Sequence, residues 1–221
     1  MKSIEQIANI LKGAAIRLLL RREVLFKSIV VPILVLASLD FLYDESYTIG
    51  KAIVLGTFEL MAYTVLAINT HRVMLLGASS VPKWGLARPT KRELRFVFQM
   101  IGLGLIITPI YLLVLIPEYG IWLMVVVSSY LISRFSLVFP AIATDNPWTL
   151  GEAWDATNEH QFLVFVVVGL LPILIGGAKY LLSDLPNSEV LMSMVSALTT
   201  VYTVSGLSLL YESIHDAQNR S

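Results

Sequence analysis

The chain has 221 residues, of which 56% are hydrophobic and 14% charged, and it contains no cysteine. A charged share that far below the roughly 25% of a soluble domain, with a mean hydropathy of +0.74, excludes an ordinary water-soluble fold and points to an integral membrane protein, because a bilayer dissolves apolar surface that no core of this size hides. The absent cysteines exclude a disulfide framework, a thiolate zinc site and haem attachment, and the formal net charge of zero conceals a strong segregation of charge along the chain.

Residues 3–22 read as an amphipathic helix lying on the membrane. Ser3 and Gln6 have the spacing of a capping box. Ile4, Ile7, Ala8, Leu11, Ala14, Ala15, Leu18 and Leu19 recur at intervals of three and four. Lys12, Arg17 and Arg21 lie off that stripe, placed to reach anionic headgroups. No cleavable signal peptide is expected, because no short apolar run here ends in a small-residue cleavage site, and neither end carries a lipidation motif.

Hydropathy then predicts six membrane spans at about 25–43, 50–70, 96–116, 121–143, 162–182 and 190–211 in a single domain, 1–221. The first contains Pro32 and leads to an acidic turn of Asp40, Asp44 and Glu45. The second carries Glu59 and ends at His71 and Arg72. A basic connection follows, with Pro82 and Pro89 breaking helix. The third span is interrupted at Thr108-Pro109, and residues 117–120 (PEYG) have the composition of a tight turn. The fourth carries Arg134, and a short capped helix is expected at about 149–160 before the fifth. Small residues dotted along the sixth span suit close helix packing. The fold class is thus an all-α membrane bundle of about six transmembrane helices with two interfacial amphipathic helices on the cytoplasmic side. Its three hairpins each open with a proline-bearing helix, through Pro32, Pro109 and Pro172, a pattern as consistent with chance as with an internal repeat.

Charge tests this threading. Six cations lie before residue 28, the last of them Lys27 at the start of the first span, and six more, Arg72, Lys83, Arg88, Lys91, Arg92 and Arg95, lie in the basic connection. With Arg134 and Arg220 on the same side, only Lys51 and Lys179 of the 16 fall on the other. That is the positive-inside asymmetry, and it predicts cytoplasmic termini.

Candidate sites are few. A carboxylate near the bilayer centre is costly and faces protein or water, which makes Glu59 conspicuous. Counting about 1.5 Å per residue, Glu59 lies about 13 Å and Arg134 about 20 Å from the outer helix ends, within reach of an arginine side chain. The pair is open to a structural reading, an ion pair that orients two helices or a Glu59 that is simply protonated, and to a functional one, a proton or ion relay or a headgroup site. A second candidate is a polar cluster at the cytoplasmic interface, His71, Arg72, Glu152, Asp155 and Glu159. Thr149 and Glu152 have capping-box spacing. The carboxylates beside His160 match no metal motif and read as a solvated acidic face answering the basic residues 88–95. Trp148 and Trp154 read as interfacial anchors. Nothing in the sequence calls for a metal or other cofactor, assigns a catalytic residue, or suggests a nucleic-acid partner. Anionic lipid headgroups at the basic connection are the expected partners, along with a protein partner or a second copy of the chain.

Residues 134–143 (RFSLVFPAIA) and 146–157 (NPWTLGEAWDAT), with 67–77 (AINTHRVMLLG), resemble a pattern in poorly characterised bacterial inner-membrane proteins. These are the YciC-like proteins and the membrane domain attached to some glycerophosphoryl diester phosphodiesterases. The resemblance implies a helical bundle in a bacterial inner membrane. It implies no phosphodiesterase activity, which in that family belongs to a soluble barrel of about 250 residues. Three functions follow in order of expectation: a non-enzymatic scaffold, lipid-interacting or assembly protein; a small transporter or channel component using Glu59 and Arg134; and a lipid-acting enzyme.

Overall fold

The structure, a computed structural model, describes residues 2–40, 42, 48–86, 88–146, 148–180 and 188–218. All regular structure in them is helical. Asp44 and Glu45 of the predicted acidic turn, the end of the fifth span at 181–182, and the Ser3 side chain with its capping box lie outside the described residues.

Helix α1 (Lys2–Leu20) leads into α2 (Arg22–Asp40) and α3 (Ile49–Leu76). The basic connection precedes α4 (Lys91–Ile107), which tightens into a 3-10 helix at Thr108–Leu115. The cause of the tightening is Pro109, which lacks the N–H for an α-type bond and whose ring opposes the carbonyl four residues back. Thr108 Oγ1 donates to Gly104 O at 2.8 Å. After the 117–120 turn, where Glu118 adopts φ 65°, α5 (Gly120–Phe135) runs back and bends at Ser136 into α6 (Val138–Ala143). The short α7 (Leu150–Ala156) and α8 (Gln161–Val164) follow. A π-helical segment, Phe165–Leu170, comes next, then α9 (Leu171–Tyr180) and α10 (Ser188–Gln218). The wider π turn stands directly before Pro172, and the Leu171 N–H reaches Val166 O, five residues back. This register relieves the crowding that an α-type turn would force on the proline ring.

Four helical stretches are long and apolar enough to cross a membrane: Ile49–Leu76, Lys91–Leu115, Gly120–Ala143 and Asn158–Gly177. They coincide with the second to fifth predicted spans. The first predicted span forms α2, but Arg22, Glu23 and Lys27 charge its first turns, and the uncharged stretch at 28–39 is about 18 Å long at 1.5 Å per residue, short of a hydrocarbon core of about 30 Å.

The core sits at one end of the bundle. Its largest cluster surrounds α6, where Leu137, Val138, Ala141 and Ile142 meet Ile68, Phe96, Val164, Val167 and Leu210. Part of the apolar stripe of helix α1 faces protein, while Ile4, Ala8 and Leu19 are exposed. Ala14 is buried against Met74 and Leu209, and the Tyr202 hydroxyl donates to Leu11 O at 3.1 Å. Its arginines turn inward as well. Arg17 pairs with Glu212 at 2.7 Å, and Arg21 donates to Val73 O and Met74 O. Those carbonyls end α3, where cations complement the helix dipole.

Candidate functional site

Four consecutive residues of α3 tie the polar end together. Successive helix positions point about 100° apart, so Asn69, Thr70, His71 and Arg72 face different directions, and other elements meet Asn69, His71 and Arg72. Asn69 Nδ2 donates to Ser28 O and Gly85 O, both at 2.9 Å. Gly85 has φ +72°, and a Cβ there would lie 1.8 Å from Ser28 O, so only glycine lets the basic connection approach α2. Thr70 Oγ1 bonds back to Leu66 O. His71 is buried, with Nδ1 2.8 Å from Ser208 Oγ. Because Ser208 Oγ donates to Val204 O, its remaining capacity is as an acceptor, which places the imidazole proton on Nδ1.

Arg72 reaches furthest. Its Nε donates to Ser80 O at 2.9 Å, and Nη1 donates to Ala143 O and Asp145 Oδ2, both at 2.8 Å. Asp145 follows α6 with φ 65° and also pairs with Arg92 at 3.2 Å. Arg92 in turn pairs with Glu93 at 2.8 Å. Glu93 Oε2 accepts the Thr90 N–H at 2.7 Å, closing a capping box that starts α4. Beside this chain lies a surface pocket of about 340 Å³, lined by Thr90, Lys91, Arg92 and Arg95 on one side and by Asp145 and Asn146 on the other. Asn146 is held by Tyr211, its Nδ2 donating to the hydroxyl at 3.2 Å. Arg92 is neutralised twice over. Lys91 and Arg95 enter no ion pair among the described residues.

The structure does not bring Arg134 to Glu59. Glu59 is half-buried in α3, whereas Arg134 occupies the last turn of α5 and is 1% exposed. Its Nη2 donates to Trp154 O at 2.8 Å and Asn158 Oδ1 at 2.6 Å, while Nε and Nη1 have no hydrogen-bond partner. The guanidinium carbon lies 4.2 Å from the centroid of the Trp154 ring, so an aromatic face takes the place of a carboxylate. Thr157 Oγ1 donates to Arg134 O at 3.1 Å. The segment 134–157 therefore closes on itself, its two ends bonded.

The five residues of the interface cluster do not converge. His71 and Arg72 serve α10 and α6, as described. Glu152 caps α7: its carboxylate accepts the Thr149 N–H at 2.6 Å and its own N–H donates to Thr149 Oγ1 at 3.2 Å. The Thr149 N–H and hydroxyl hold the Glu152 carboxyl below its ordinary range. Asp155 and Glu159 point to solvent. The carboxylate that answers the basic residues is Asp145, not the acidic face of α7. Among the described residues, no three His, Asp or Glu side chains come together as a metal site. The tryptophans have internal roles beyond anchoring, Trp154 under Arg134 and Trp148 against Tyr211 with ring centroids 5.3 Å apart.

Sequence reasoning missed Asp145, Asn69 and the Thr90 cap. The cap had a signal, since Thr90-x-x-Glu93 repeats the spacing recognised at Thr149-x-x-Glu152. No protein-family model, curated protein or solved structure matches the chain.

Proposed function

We propose that the chain is a non-enzymatic protein of the bacterial inner membrane that crosses the bilayer six times, keeps both termini in the cytoplasm, and uses its polar end to hold anionic lipid or an assembly partner. In this reading α2 and α10 complete the bundle begun by the four long apolar helices, with Lys27 snorkelling to let α2 cross. The observation that carries the reading is the pair of uncommitted cations, Lys91 and Arg95, on a pocket at the first turn of a candidate membrane helix. Cations at that level face the headgroups of a negatively charged leaflet.

The transporter alternative requires a Glu59–Arg134 pair, and the hydrogen bonds of Arg134 lie elsewhere. The lipid-acting enzyme requires Arg134, His71, Arg72 and α7 to converge, and each is committed to a separate packing role. The resemblance to YciC-like proteins fits a structural reading, because the resembling segments 67–77 and 134–157 are places where the polar end makes its buried bonds.

The cysteine-free chain allows a direct test of topology. Lys83→Cys in the basic connection and Glu118→Cys in the opposite turn are each exposed. An impermeant thiol reagent should label Glu118→Cys in intact spheroplasts and Lys83→Cys only after permeabilisation. The reverse pattern, or labelling of both from outside, would sink the proposed threading. The lipid half of the reading is tested by the preference of the purified protein for phosphatidylglycerol over phosphatidylcholine in native mass spectrometry. An equal uptake of the two would remove it.

A further inference from the structure

The pocket beside α4 continues into a surface that matches the rest of a lipid molecule. On α4, Lys91, Leu94, Arg95, Phe98, Ile101 and Leu105 are spaced by ones, threes and fours and lie within about 120° of one another at 100° per residue. All six are exposed. The opposite side of the helix carries Phe96, Leu103 and Ile107, which are buried. The exposed stripe is thus cationic over its first turn and apolar below. From Leu94 to Leu105 it runs about 16 Å at 1.5 Å per residue, close to half of a hydrocarbon core of about 30 Å. That is the depth of one leaflet.

We propose that this face of α4 is a seat for a single anionic glycerophospholipid, its phosphate between Lys91 and Arg95 at the mouth of the pocket and an acyl chain along Leu94, Phe98, Ile101 and Leu105. The proposal rests on the lipid-interacting reading above and makes it local. Charge decides the headgroup. Asp145 and Glu93 are answered by Arg72 and Arg92, so Lys91 and Arg95 leave the pocket with two positive charges uncompensated. A phosphodiester supplies one negative charge and several acceptor oxygens. Asp145 and Asn146 on the far wall offer acceptors to headgroup hydroxyls, which favours phosphatidylglycerol over a choline lipid. Free phosphate would use the cations and leave the apolar stripe without a role.

The test uses the full chain in neutral detergent micelles, titrated with phosphatidylglycerol, phosphatidylcholine or inorganic phosphate and read by native mass spectrometry. The wild type should retain one phosphatidylglycerol in preference to phosphatidylcholine. The double variant Lys91→Ala/Arg95→Ala should weaken that binding by about thirtyfold, from two surface charges at the usual contribution of each. Lys91→Arg/Arg95→Lys should keep it within a few fold, and both pairs lie on an exposed face where folding is undisturbed. Phe98→Ser/Leu105→Ser should weaken the lipid while leaving any inorganic phosphate signal unchanged. If the alanine pair binds phosphatidylglycerol as the wild type does, the seat is elsewhere and this proposal falls while the general lipid preference stands. If inorganic phosphate displaces the lipid and the serine pair has no effect, the pocket holds free phosphate and the lipid seat is overturned. If the wild type shows no phosphatidylglycerol preference, both this proposal and the broader reading fail.

Discussion

The two ends of the bundle are built by different rules. At the polar end, buried side chains donate to backbone carbonyls of other elements: Asn69 to Ser28 and Gly85, Arg72 to Ser80 and Ala143, Arg134 to Trp154. At the other end, the hairpin made by Thr108–Leu115 and the start of α5 presents Leu112, Leu115, Ile121 and Trp122 outward, with little of its own chain buried. A carbonyl buried without a partner costs about 1–3 kcal/mol, so each polar-end bond constrains where a loop or helix end can sit. Apolar side chains facing lipid constrain almost nothing, because lipid tails accept any of them. The molecule is fastened by hydrogen bonds at one end and presents exposed apolar side chains at the other.

The largest expected effect is at Gly85. Gly85→Ala sets a Cβ 1.8 Å from Ser28 O and holds a non-glycine residue at φ +72°, and neither backbone can yield without breaking the Asn69 bonds. A loss of about 4 kcal/mol or outright failure to fold is expected, read as the detergent-solubilised yield and the unfolding midpoint. Near-normal stability would show that the basic connection is not fastened to α2 as described.

Leucines compare the two ends with chemistry held constant. Leu137 is 0% exposed in the core and Leu112 is 67% exposed on the outer hairpin. Leu137→Ala should cost about 2–5 kcal/mol through lost contacts and a residual cavity. Leu112→Ala should fall within about 0.5 kcal/mol of the wild type. Equal losses in a denaturant titration would erase the distinction between the ends.

Arg134→Ala comes between these. It removes two charge-assisted bonds and a cation–π contact, each worth about 1–3 kcal/mol in isolation, but it also frees a cation that is buried without a carboxylate. The net loss should be about 2 kcal/mol, with a shift in tryptophan emission as Trp154 loses its stacked charge. Unchanged emission would mean that the ring and the guanidinium are not in contact.

How much of this was legible in the sequence depends on the kind of constraint. The four long apolar helices were readable because a membrane span must satisfy its backbone internally and show an apolar surface. The Thr149 cap was readable because its signal is local. Arg134 was assigned to Glu59 because the fourth span was read as one straight helix to residue 143, which leaves α7 out of its reach. The α-helix instead ends at Phe135, so Arg134 sits in a last turn and reaches forward to α7. The Thr90 cap was missed because the charged residues 91–95 looked like loop, although they form the first turn of α4. Gly85 lies in a stretch without periodicity, and a contact with Ser28 across 57 positions leaves no local trace. Tertiary partners of buried polar groups are fixed by chain bends, and hydropathy does not record bends.

The smallest expected effect concerns the Glu152 cap and works through pH. Its carboxyl ionises below the ordinary value of 4.5 in the folded protein because the Thr149 N–H and hydroxyl hold the charged form. A group with a depressed folded pKa contributes stability that is fully present above its unfolded pKa and is lost as pH falls through the folded value. The wild type should therefore lose midpoint temperature more steeply than Glu152→Gln as the pH falls below the ordinary carboxyl value of 4.5. The glutamine keeps the capping geometry but has no proton to take up. Above pH 6 the two should differ only slightly, since the carboxylate is exposed and the helix is seven residues long. Parallel acid profiles for the two proteins would mean that the charged form of Glu152 does not hold the start of α7, leaving the Arg134–Trp154 and Thr157 contacts to fix that helix alone.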